Sequence, residues 1–150
     1  MSALPFMARV DRMINKKPRA KVISDSTFAQ RQREAAVMVA SGDWTEARPG
    51  HFVALYAMGH AKAYGVPPLE LTPPARMGAA AMVAKLLRDS FGGEPQRLYA
   101  FVRWVWTRER EREEWRRANN REGRRVSWQL QFGKLFLTDY ALAIERAKTR

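Results

Sequence analysis

The chain has no cysteine, which rules out disulfides and thiolate metal sites and fits a reducing compartment. Histidine is almost as scarce. His51 and His60 are the only two, and a nine-residue separation at ~100° per residue puts them on opposite sides of a helix, where they cannot share one ion. Each is expected to be a helix-surface or polar packing residue. No run approaches the ~20 apolar residues of a membrane span, and Met1 to Val22 lack the continuous apolar segment of a secretory signal. There is no GxxxxGK[ST] phosphate loop, and Gly92-Gly93 reads as a helix stop rather than a dinucleotide fingerprint. Carboxylates are dispersed. Asp43 and Glu46 come nearest to a cluster, whereas a magnesium-dependent nuclease needs two or three acidic ligands together. The serines and threonines have no base nearby in sequence. These absences leave no catalytic, metal or cofactor residue to assign, and the expectation is a non-enzymatic, soluble, cytoplasmic protein with no membrane partner.

What the chain does have is positive charge, +12 over 150 residues, and its placement is uneven. Met1 to Arg33 carry a net +6, Glu34 to Val102 are neutral, Arg103 to Arg125 carry +4 and the tail +2. Two basic segments flanking an uncharged hydrophobic centre predict a packed body that presents a polyanion-binding surface. The hydrophobic fraction, 46%, and five tryptophans suffice for a core. A single domain of this length buries roughly two-thirds of its unfolded surface.

Residues 1–23 read as a basic flexible arm and 24–150 as a helical domain. Leu4, Phe6, Met7, Val10, Met13 and Ile14 could form a short amphipathic helix, which Lys16-Lys17-Pro18-Arg19-Ala20-Lys21 interrupts with a proline among cations. Ser24 or Ser26 offers an N-cap to a helix over 26–40, stopped by Ser41-Gly42. A second helix is predicted over 49–64, with Pro49 in its first turn and Gly65 past its end. A third, capped by Thr72, runs to Ser90 and is closed by Phe91-Gly92-Gly93. A fourth runs from Pro95 to Ala118. Asn119 to Gly123 is a loop, and Ser127 caps a fifth helix that continues almost to Arg150, although a short hairpin over 124–132 also satisfies the alternation of Val126, Trp128, Leu130 and Phe132. The fold class is all-α, one compact domain of about five helices, with a basic N-terminal arm.

In the fourth helix Leu98, Tyr99, Phe101, Val102, Trp104, Val105 and Trp106 span an arc of roughly 220°, so this half should be surrounded by other helices. Thr107 to Arg117 is almost wholly charged and is predicted to project into solvent. In the fifth, Trp128, Phe132, Phe136, Tyr140 and Ile144 recur at i+4, and Asp139 falls inside that arc, so it is expected to be buried or half-buried against an arginine. Trp104, Trp106 and Trp128 are assigned to the core. Trp44 and Trp115 are either exposed stacking platforms or plugs beneath loops.

Arginine recurs from Arg103 to Arg125, and its planar fork of donors matches phosphate oxygens. Interleaved Glu109, Glu111, Glu113 and Glu114 allow the competing reading of a solvated helix laced with i,i+4 pairs. The far end is favoured for nucleic acid: Arg112, Arg116, Arg117, Arg121, Arg124 and Arg125 to hold phosphates, with Trp115 to stack. In the arm, Lys16, Lys17, Arg19 and Lys21 lack nearby carboxylates and form a second candidate contact, set against a solubilising tail or a segment that binds an acidic protein.

Finally, HFVALYA at 51–57, YGVPPLEL at 64–71, FVRWVWTRE at 101–109 and WQLQF followed by LTDYALA resemble a set of small, uncharacterised proteins of tailed phages and prophages, over about 51–144. The resemblance transfers no activity. It implies a genomic context in which small basic proteins serve replication, recombination, packaging and takeover of the host. Two functions are therefore expected in competition. The first is a nucleic-acid-binding accessory protein, acting on DNA before RNA. The second is a helical protein-binding factor that regulates or inhibits a host enzyme such as RNA polymerase or a defence nuclease. No heptad seam fixes an oligomeric state.

Overall fold

A computed structural model describes residues 22–121 and 134–149. Five helices account for most of them: α1 (Asp25–Ser41), α2 (Pro49–Tyr64), α3 (Pro73–Ser90), α4 (Pro95–Ala118) and α5 (Lys134–Lys148), with no strand among the described residues. The protein is all-α. Lys16, Lys17, Arg19, Lys21, Arg124, Arg125, the cap at Ser127, Trp128 and the alternative hairpin all lie outside the described residues.

The boundaries follow local chemistry. Ser24 is extended and its side chain accepts from the Thr27 backbone N–H, satisfying one of the donors a helix start leaves unpaired. Gly42 and Gly65 end α1 and α2 in the left-handed region at φ 72° and 78°, where a Cβ is disfavoured. Prolines occupy the first turns of α2, α3 and α4, where their missing N–H removes no helical bond. After α4, Asn120 adopts φ 51° and the Asn119 side chain donates to the Trp115 carbonyl.

Helix α2 is the centre of the molecule and packs against α1, α3 and α4. It is buried on nearly every side, from His51 to Tyr64, as expected of a segment apolar all round. From α1, Phe28, Ala35 and Met38 pack inward; α3 contributes Ala79, Val83 and Leu86; α4 contributes Leu98, Phe101, Val102, Val105 and Trp106. Helix α5 lies on the far side of α4, where Tyr140 meets Phe91, Phe101 and Trp104 at ring-centroid distances of 6.4, 5.3 and 5.3 Å.

One arginine anchors the start of α1. Arg76 on α3 donates to the Ile23 and Leu71 carbonyls and to Asp25, with its guanidinium 4.2 Å from the Phe28 ring centroid. The Ile23 N–H in turn donates to the Pro73 carbonyl. Ile23, placed at the end of the arm by the sequence, is thus fastened to the body.

Two expectations are corrected. Asp139 is exposed; the face of α5 that packs is formed by Phe136, Leu137 and Tyr140, while Leu142 and Ile144 are exposed. The charged half of α4 does not wholly project into solvent, because Glu109 is only 2% exposed.

Candidate nucleic-acid interface

The buried glutamate organises the arginine-rich half of α4. Leu98, Val102, Val105 and Glu109 succeed one another at steps of four, three and four, so Glu109 continues the apolar stripe that faces α2. There the Tyr64 hydroxyl donates to its Oε1 at 2.6 Å, and Arg116, two turns further along α4, donates to the same oxygen at 2.5 Å. Glu113 lies 3.1 Å from the same guanidinium. Burial alone would pull the Arg116 pKa down, but the hydrogen bond and charge of Glu109, with Glu113 behind them, push it above the ordinary arginine value. Arg116, expected among the phosphate-holding arginines, is instead committed to an internal triad with Tyr64 and Glu109. Its charge is met within α4 by Glu109 and Glu113, and Glu109 in turn accepts from Tyr64 on α2.

The remaining cations of this half are distributed around the helix. Arg103 and Arg110 are exposed on one flank, seven residues apart and so about 10.5 Å along the axis. Arg117, 62% exposed, continues that flank, with Glu113 3.5 Å from its Nε. On the other flank Arg108 lies over the Trp104 ring at 4.9 Å. Arg112 is exposed and has no ion pair among the described residues. At the tip, Trp115 is 54% exposed and the Arg121 guanidinium sits 5.6 Å from its ring centroid. Of the expected site residues, the structure therefore brings Arg112, Trp115, Arg117 and Arg121 to the exposed far end of α4 and turns Arg116 inward.

Trp44 resolves the other way. It stacks on Phe52 at 5.6 Å and 14° and lies 4.9 Å from Tyr99, so it fills the gap beneath its loop. Asp43 accepts from the Thr45 hydroxyl and backbone N–H, and these two bonds hold its carboxyl below the usual range. It is a turn-forming residue. Both histidines are buried packing residues. His51 Nδ1 accepts from the Arg48 N–H, which leaves its Nε2–H to donate to Glu34 on α1 at 3.3 Å. His60 Nδ1–H donates to the Val66 carbonyl at 2.7 Å. Among the described residues, no three His, Cys, Asp or Glu side chains converge as metal ligands, and no helix is long and apolar enough to cross a membrane.

The sequence reading missed two features. The Tyr64–Glu109–Arg116 triad was signalled only by Glu109 lying in phase with the apolar stripe. The second is a groove between α1, α2 and α4, where Trp106 lies against Gly59 beneath Lys62, Arg103 and Arg110. These features define a helical domain with a cationic helix tip and a separate cation-rimmed groove. Comparison of the chain with protein-family models, curated proteins and solved structures finds no match.

Proposed function

We propose that this protein is a non-enzymatic nucleic-acid-binding accessory factor that grips a phosphate backbone with the far end of α4. The observation that carries the reading is the exposed far end of α4, where Arg112, Arg117 and Arg121 stand around the helix and the Arg121 guanidinium lies over the accessible Trp115 ring. Guanidiniums hold phosphate oxygens through paired donors, and an indole accepts a base on its face. Arg121 already stacks on Trp115, so a base must either displace it or use the opposite ring face. Lys16, Lys17, Arg19, Lys21, Arg124 and Arg125 extend the same role by their charge. The resemblance to small phage proteins makes phage DNA, during replication, recombination or packaging, the first polyanion to try.

Labelled single- and double-stranded DNA and RNA, titrated with the intact chain across a salt series, test the proposal. Micromolar or tighter binding that weakens at least tenfold in Arg112→Ala/Arg117→Ala/Arg121→Ala supports it. Binding that is unaffected by those changes, or absent at low salt, refutes it.

A further inference from the structure

A groove of about 480 Å³ runs between α1, α2 and α4, on the flank of α4 that carries Arg103 and Arg110. Leu55, Met58, Val102 and Trp106 form its apolar floor, and Val39 of α1, 37% exposed, stands at its margin. Its rim carries Lys62, Arg103 and Arg110, and no carboxylate lines it. All three cations are exposed, and none makes an ion pair among the described residues. They contrast with Arg116, whose charge is met by Glu109 and Glu113.

We propose that this groove is a docking site for an acidic amphipathic helix of a partner protein. A helix laid along α4 presents residues i and i+7 with the same ~10.5 Å repeat that separates Arg103 from Arg110. Two acidic residues at that spacing meet both arginines at once, while an apolar stripe on the adjoining face covers the floor. The competing occupants fit less of the site. A nucleic-acid strand satisfies the cations but leaves the apolar floor without a counterpart. A single-headed anionic amphiphile fills the floor yet offers one charge to three rim cations. The chain's own N-terminal sequence contains apolar residues as well, but Met1 to Val22 carry six cations against Asp11 and would be repelled by the rim. This inference uses Lys62, Arg103 and Arg110 and is independent of the nucleic-acid reading, which rests on the tip of α4.

The test is anisotropy of a fluorescein-labelled synthetic peptide of about 16 residues, with leucines at i, i+3, i+4 and i+7 and glutamates at a seven-residue spacing beside them. The intact protein is expected to bind it at micromolar concentration. Lys62→Glu/Arg103→Glu/Arg110→Glu should weaken binding at least tenfold, and Arg112→Ala/Arg121→Ala, off that flank, should leave it unchanged. Should circular dichroism show the reversal variant unfolded, the neutral Lys62→Ala/Arg103→Ala/Arg110→Ala variant carries the same expectation. Three results overturn the inference: no saturable binding, equal binding by a peptide of the same composition with its leucine stripe scrambled, or no effect of either rim variant. It also fails if a DNA duplex displaces the peptide and the rim variants abolish duplex binding, since the groove would then belong to the polyanion surface.

Discussion

Glu109 shows how a residue in a charged run can be part of the core. Its carboxylate is shielded from water by α2, and among the described residues the Tyr64 hydroxyl and the Arg116 guanidinium replace the lost hydration. Removing one member of such a group strands the others, which costs more than the pair contributes. Glu109→Ala is therefore expected to destabilise the fold by about 3–5 kcal/mol in urea denaturation. Tyr64→Phe, which deletes one hydrogen bond to a charged acceptor, should cost about 1–3 kcal/mol. The apolar double replacement Glu109→Leu/Arg116→Met should recover much of the loss of the single change, because it removes both buried charges together. If Glu109→Ala melted like the parent protein, the triad would be incidental to stability. A second residue-scale effect is alkaline. Burial, aided by the charge of Glu70, raises the Tyr56 pKa above the ordinary tyrosine value, and burial raises that of Tyr140 against the opposing charge of Arg97. Groups raised in the folded state contribute stability that is fully present below their unfolded pKa, about 10, and is lost as pH rises beyond it. The urea midpoint should hold steady from pH 8 to 9.5 and fall above 10, and Tyr56→Phe should flatten that fall.

At the scale of the helices, Gly59 of α2 lets the Trp106 indole of α4 lie against its backbone. A Cβ built on Gly59 would stand 2.4 Å from Cδ1 of Trp106 and 2.7 Å from its Nε1. Either indole or helix must then move. In an open helix Gly→Ala would gain roughly 1 kcal/mol of propensity; here the clash outweighs it, and a net loss of about 1–3 kcal/mol is expected from overpacking. Chemical denaturation of Gly59→Ala, with Gly78→Ala on α3 as an unobstructed control, separates the two contributions, since Gly78 has open space at its Cβ position. The element boundaries were readable because caps are local. Ser24, Gly42, Pro49, Gly65, Pro73 and Pro95 act through their own backbone and its immediate neighbours. What escaped was the pairing of faces. Asp139 and Glu109 both sit on plausible apolar arcs, yet only Glu109 finds a partner across the core, 45 residues away in Tyr64. Periodicity assigns a face to each helix, but the neighbour on that face is a tertiary fact. Gly59 was unreadable for the same reason, as its role exists only through Trp106. The exposed tip of α4 was legible in composition, whereas the inward turn of Arg116 depended on Tyr64 and Glu109 meeting.

At the scale of the whole molecule, the charge excess is divided between the helical body and the segments that flank it. The tip of α4 offers Arg112, Arg117 and Arg121, and the first 21 residues contain Lys16, Lys17, Arg19 and Lys21 without a neighbouring carboxylate. Salt dependence can count which of these meet phosphate, because each neutralised phosphate of a duplex contributes roughly 0.9 to the slope of log K against log salt. Contact by the three arginines of the tip alone gives a slope of about −2.7, and adding the four N-terminal cations steepens it to about −6. Neutralising Lys16, Lys17, Arg19 and Lys21 together should then return the slope to the shallower value. Replacing the three tip arginines should reduce affinity and slope together. A slope that stays near −6 after the N-terminal cations are neutralised would assign the phosphate contacts elsewhere on the body, and a slope near zero would remove nucleic acid as the partner of this surface.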